Sequence, residues 1–290
     1  MTYEQLKHLK PNAFKRKCGV QRETFEQIVE LLRPHLDRAE KRGGQCKLCV
    51  EDQLLLVLEY WREYRTQFHI ATRDFGGNNS SRNSLTSWGL SESAVCGLIQ
   101  KVESLLIKSG EFCLPGKKQL YQNAYTWSVL VVDVTETPIE RPKKKQRTYY
   151  SGKKKRHTLK AQVVVNQSNG QIICTAFGKG RVHDFRLFKQ HRVPMLPEQL
   201  CLTDKGYQGI AKLHPSSCTP TKKPRQAKLD KFERQHNQLL AQLRVVAEHV
   251  NRRLKIFRIL AERYRNRRRR FGLRFNLIAA ILNFELALTS

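Results

Sequence analysis

The hydrophobic period of this chain changes once, and that change bounds what it can fold into. Up to residue 110 apolar side chains recur at helical spacing; from Ser128 onward they come in short β-branched runs. Phe25, Ile28, Val29 and Leu32 mark one helix, with Pro34 just beyond it to help end it. Leu54, Leu55, Leu58 and Trp61 open a second, with Glu51 and Asp52 suited to its positive N-terminal end. The break falls at Gly110–Gly116, a turn-like stretch containing Pro115. The chain therefore divides into a helical region, 1–110, and an α/β region, 111–290.

A third helix starts at Ser91, a good N-cap, and carries the apolar stripe Ala94, Val95, Leu98 and Val102. A polar-capped helix following another is how helix-turn-helix proteins present side chains to the major groove, which would put Ser91 and Ser93 against DNA. A helical bundle acting as a cap or dimerisation domain has the same pattern, and both readings stay open at this point. A polar stretch, residues 72–87, rich in Gly, Asn and Ser, lies between Ala71 and Trp88.

In the second region Ser128–Asp133 is a strand ending on an acid, and Leu159–Asn166 and Gln171–Phe177 form a hairpin around the Asn169-Gly170 turn. Asp184–His191 is a short helix, Gln199–Thr203 a strand followed by Asp204, and Leu229–Leu254 a long helix carrying Glu248. Strands interleaved with helices in this order predict a mixed sheet.

Charge decides the class of partner. The chain has 54 Lys+Arg against 25 Asp+Glu, net +29. Residues 1–110 hold 17 basic and 13 acidic side chains, so 111–290 hold 37 and 12, a net +25. Such a field is most simply matched by a polyanion and argues against an enzyme of small metabolites. The N-terminus MTYEQLKHLK lacks an apolar signal region, and eight cysteines follow no repeating framework. Together these lead us to expect a cytoplasmic protein, with reduced thiols and without a membrane partner. Cys46-x-x-Cys49 has ligand spacing, but no second pair completes a zinc site. Phe271–Leu288 is apolar but broken by Arg274, Asn276, Asn283 and Glu285, as expected for a core-packing helix.

Against that charge, the four aspartates of the second region stand out: Asp133, Asp184, Asp204 and Asp230. Two follow expected buried strands, where a carboxylate is costly unless it meets a cation. If those strands are neighbours, Asp133 and Asp204 can share a hard ion such as Mg²⁺ or Mn²⁺. Pairing with local lysines such as Lys205 is the plainer alternative.

The order of motifs goes further. Asp133-Val134-Thr135-Glu136-Thr137-Pro138, Tyr149-Tyr150-Ser151-Gly152-Lys153-Lys154-Lys155-Arg156-His157, Val182-His183-Asp184-Phe185, Thr203-Asp204-Lys205-Gly206-Tyr207 and the Arg244/Glu248/Lys255 set resemble the insertion-sequence transposases of the DDE superfamily. The nearest subgroup is the bacterial insertion-sequence-five family, which is similar to Harbinger-type elements. The resemblance implies an RNase-H-like catalytic domain behind a helix-turn-helix-like region, and metal-dependent cleavage and strand transfer at the element's ends. It implies Asp133, Asp204 and Glu248 as catalytic metal ligands for two Mg²⁺ (or Mn²⁺) ions. DNA contacts would come from Lys153, Lys154, Lys155, His157, Lys160, Arg244, Asn251, Arg252 and Lys255, with His183 and Asp184 supporting the carboxylates from behind. The implied partners are double-stranded DNA, as terminal inverted repeats and target, and further copies of the chain. Alternatives are a transposase-derived DNA-binding regulator, an inactive copy, or a domesticated nuclease without strand transfer. Ala241 stands where larger transposase groups carry a tyrosine, so only the Arg–Glu–Lys part of that motif is kept. Set against this resemblance, the polar stretch 72–87 is either a surface insertion or the scar of a decayed reading frame that weakens end recognition.

Overall fold

The computed structural model describes residues 2–37, 46–71, 88–122, 127–223 and 228–289; the polar stretch 72–87 lies outside them. The chain forms two compact units. The first comprises Met1–Cys113, Lys255–Glu262 and Ala280–Ser290, the second Leu114–Leu254 and Arg263–Ala279.

Helices build the first unit, chiefly Pro11–Cys18, Arg22–Leu36, Val50–Arg62, Gln67–Ala71 and Glu92–Ser109. The stripe Phe25, Ile28, Val29 and Leu32 is buried throughout, as its period requires. Pro34 lies within the last turn of its helix rather than beyond it, and the helix stops at Leu36. Trp61 donates its indole N–H to the buried Glu103 carboxylate at 3.2 Å, and Trp88 donates to Glu59 at 2.9 Å. Ser91 does cap Glu92–Ser109, its Oγ accepting from the Ala94 N–H at 3.2 Å. Gly110 closes that helix in the left-handed conformation at φ +76°.

The second unit is built on a six-stranded mixed sheet: β1 Val129–Pro138, β2 Tyr150–Ser151, β3 Arg156–Asn166, β4 Ile172–Lys179, β5 Leu200–Leu202 and β6 Ser217–Cys218. Its order is β2-β3-β1-β5-β6, with β4 also on β3. β1, β3 and β4 pair antiparallel, whereas β5 and β6 lie parallel to β1. This is the mixed sheet of an RNase-H-like domain. The hairpin turns where expected, with Gly170 at φ +76° and the Asn169 side chain accepting from the Gln171 N–H at 2.9 Å. Both faces of β1 are covered. Leu130 and Val132 join a cluster with Phe188 and Tyr207, while Val131 packs with Leu240 and Ala247 of the helix Lys231–Lys255.

One expectation needs correcting. β1 does not end at Asp133; it runs on to Pro138, because Val134–Pro138 keep pairing with Gln162–Thr158 of β3. The helix Phe271–Thr289 is long and apolar enough to cross a membrane by length and composition. Its side chains are nonetheless spent on protein contacts. In the second unit Phe271 and Phe275 meet Phe177 edge-on at 5.8 and 5.6 Å, and the buried Arg274 reaches the Tyr264 hydroxyl at 2.9 Å. Within the first unit the buried Glu285 accepts from the Gln21 N–H and from Lys15.

Candidate active site

Strand alternation sets which side Asp133 faces. It shares a face with Val131, against which Ala247 packs, so the helix Lys231–Lys255 lies over the carboxylate as well. One turn beyond Ala247, Asn251 donates its Nδ2 to Asp133 Oδ2 at 2.8 Å. The parallel register then brings in the second aspartate. Val131 pairs with Leu202, the last residue of β5; two residues further on, Asp133 is still within β1, whereas Asp204 stands just beyond the end of the parallel β5. Asp204 caps the short 3₁₀ turn Lys205–Tyr207, its Oδ1 accepting from the Gly206 N–H at 2.8 Å.

Burial raises the Asp133 carboxyl above its ordinary value; the Val134 N–H and the Arg244 charge oppose the shift, while Asp204 and Asp184 add to it. Tyr207 has no exposed surface. Burial pushes its phenol well above the usual range, with Asp184, Asp204 and Asp133 pushing the same way.

Glu248 lies one turn after Arg244 and three residues before Asn251, on the side of the helix open to solvent. Among the described residues no group of three or more His, Cys, Asp and Glu side chains is arranged to hold a metal. The individual donors nonetheless suit a hard cation. Asp133 is a half-buried carboxylate that feels the charge of a second one, and the buried Oδ1 of Asn251 has no hydrogen-bond partner.

The remaining expected residues fall into three groups. Lys153, Lys154 and Lys155 are exposed in the turn between β2 and β3; half-buried His157 meets the Tyr150 ring at 5.7 Å. Arg252, Lys255 and His183 are exposed, as are Ser91 and Ser93, whose hydroxyls lie 3.0 Å apart. Lys160 is the correction. Expected on DNA, it is 7% exposed, with its ammonium 2.6 Å from Asp184, 2.7 Å from the Val182 carbonyl and 3.8 Å from Glu136. Thr158 donates to the same Glu136 at 2.7 Å. An inward-facing position on a central strand leaves this lysine no route to a phosphate backbone. The pairing of Glu136 with Lys160 follows from the β1–β3 register, which the sequence alone does not reveal, and the same is true of the Asn251–Asp133 hydrogen bond.

Comparison with known proteins agrees with this architecture. A family model described as DDE superfamily endonuclease matches residues 132–289, and one described as helix-turn-helix of DDE superfamily endonuclease matches residues 46–75. The chain belongs to the DDE superfamily and is an insertion-sequence transposase. It is 51% identical over 288 residues, 99% of each chain, to a Microchaete diplosiphon protein described as the probable transposase for insertion sequence element IS702. It is 24% identical over 246 residues, 84% of each chain, to a Streptomyces albus G protein described as "Putative transposase for insertion sequence element IS112". No solved structure matches. The helix-turn-helix match takes in the helices Val50–Arg62 and Gln67–Ala71 and stops short of Ser91. Membership implies metal-dependent nuclease chemistry in general.

Proposed function

We propose that this transposase binds the ends of its own insertion sequence through residues 1–110, then cuts and joins DNA in residues 111–290. Asp133, Asp204 and Glu248 would hold the two Mg²⁺ or Mn²⁺ ions. The observation that carries the reading is Asp133, bonded by Asn251 of the helix that bears Glu248 and acted on by the charge of Asp204, which follows the parallel neighbour strand β5. Arg244 and Asn251 both act on Asp133, and Glu248 sits between them at i+4 and i−3, where a helix keeps side chains on one face. Bound divalent ions would supply activation of the attacking oxygen and stabilisation of the leaving one. The chain's own contribution is positional. Arg244 and Lys255 orient the phosphates of the cleaved strand, and the exposed Lys153–Lys155 turn follows the backbone. Water is the first nucleophile, and the released 3′-hydroxyl is the second. His183 and Asp184 support the site from the start of their helix, Asp184 through its bond to Lys160.

The direct test is cleavage of duplexes carrying the element's own ends. Asp204→Asn should abolish Mg²⁺- or Mn²⁺-dependent nicking and leave end binding intact. Full cleavage by this variant would remove the carboxylate assignment; intact binding by a parental protein that never cleaves would leave a DNA-binding regulator.

A further inference from the structure

Asn251 does more at this site than a residue on the phosphate path would need to do. Its Nδ2 donates to Asp133 Oδ2 at 2.8 Å. Turning the amide over would set two acceptors face to face, so this bond fixes Oδ1 on the opposite side. That Oδ1 is buried and has no hydrogen-bond partner. Arg244 lies seven residues earlier, on the same helix face. Its Nε is also buried without a partner, and its charge bears on Asp133. The two are complementary, yet neither bonds the other. An unmet acceptor and an unmet donor flanking a half-buried carboxylate match a cation and a phosphate oxygen respectively.

We propose that Asn251 is a positioning residue of the active site and not a DNA contact. Its amide N–H fixes the Asp133 carboxylate, and its Oδ1 gives a neutral oxygen to the divalent ion that Asp133 holds. Amide carbonyls are ordinary ligands of hard cations. An aspartate at 251 would keep an oxygen, but it would lose the donor and set a like charge against Asp133. Asparagine supplies both ends without charge. The inference rests on the carboxylate reading above.

The test uses the full-length protein without DNA, with Mn²⁺ titrated and the bound ion followed by electron paramagnetic resonance. Asn251→Leu should weaken Mn²⁺ binding about tenfold or more, the range seen when a partner that orients a metal ligand is removed. Metal-free duplex binding and its salt slope should stay at the parental values. Asn251→Asp should bind Mn²⁺ within a few-fold of the parent yet cleave more slowly at saturating Mn²⁺. If Asn251→Leu fails to fold, as judged by circular dichroism melting, Asn251→Ser carries the same expectation. Parental Mn²⁺ affinity in the folded variant overturns the proposal. So does weakened metal-free DNA binding with a shallower salt slope, which would return Asn251 to the phosphate path. Asp133→Asn separates the two levels. If it too binds Mn²⁺ normally, the carboxylate reading fails; if it loses Mn²⁺ while Asn251→Leu keeps it, only the Asn251 role fails.

Discussion

Asp133 sits where a negative charge is costly. Its carboxyl is raised chiefly by burial, and Asp204 and Asp184 add to the shift. The native state therefore binds the proton more tightly than the unfolded chain does, so the ionised form weakens the fold above the native value and stability recovers as pH falls through it. Asp133→Asn removes that cost while its side-chain oxygen can still accept from Asn251. In metal-free protein this variant should melt higher than the parent at neutral pH, by the roughly 0.5–2 kcal/mol of a typical stabilising substitution. The gap should close in acid and shrink when Mg²⁺ is added. A scanning calorimetry series over pH and Mg²⁺ checks both signs; a variant that melts lower at neutral pH would show the carboxylate to be structurally compensated. Aspartate is scarce in so basic a region, and position after an expected strand singles out Asp133 and Asp204 among the four. Glu248 is legible only through the family resemblance, since a glutamate on an exposed helix face carries no local signal of a ligand.

At the scale of elements, the helix Lys231–Lys255 decides how the strand ends are used. Leu240, Ala247, Val250 and Leu254 are buried, leaving Arg244, Glu248, Asn251 and Lys255 on an adjoining face by their spacings of four, three and four. Arg244→Ala and Lys255→Ala should keep the fold and Mn²⁺ binding yet lower strand transfer by about tenfold or more, as misplacement of a reacting phosphate does. Joining assays with pre-cleaved ends, beside far-ultraviolet dichroism, check this; parental joining rates would remove Arg244 and Lys255 from phosphate positioning. The helix and the Asn169-Gly170 hairpin are readable from sequence because periodicity and turn chemistry are local. The length of β1 is not. Val134–Pro138 alternates polar side chains and ends on a proline, so only pairing with β3, distant in sequence, reveals it as strand. Lys160 belongs to the same case. Read as one more charge in a basic run, it is set by sheet register opposite Glu136, and its fate is an internal ion pair.

Across the whole molecule, the surplus of charge is concentrated where folding joins segments far apart in sequence. Residues 141–156 contain nine Lys+Arg and no acid, and residues 263–270 contain six arginines and no acid. Tyr264 ties the second segment to the end of β1, its N–H donating to the Pro138 carbonyl at 2.8 Å. The Arg268 guanidinium lies 4.7 Å from the Tyr149 ring, with the Lys179 ammonium 5.7 Å from the same ring. Arg267, Arg268 and Arg270 all adopt positive φ, a conformation that costs non-glycine residues energy and that the surrounding structure must hold. Two basic runs thus share one surface at the far end of the strand that carries Asp133. If one duplex crosses that surface, each phosphate the protein no longer neutralises should lower the log–log salt slope of binding by about 0.9. Lys153, Lys154 and Lys155 changed together to Gln should then lower it by up to about 2.7, and Arg267 with Arg269 changed to Gln by up to about 1.8. The combined variant should show the sum of the two decreases, because charges that neutralise separate phosphates of one duplex act additively. Binding titrations of end-bearing duplex over a range of salt concentrations measure all three slopes. Unchanged slopes would make both runs solvated charge, and a combined decrease no greater than the larger single one would mean that the two runs compete for the same phosphates.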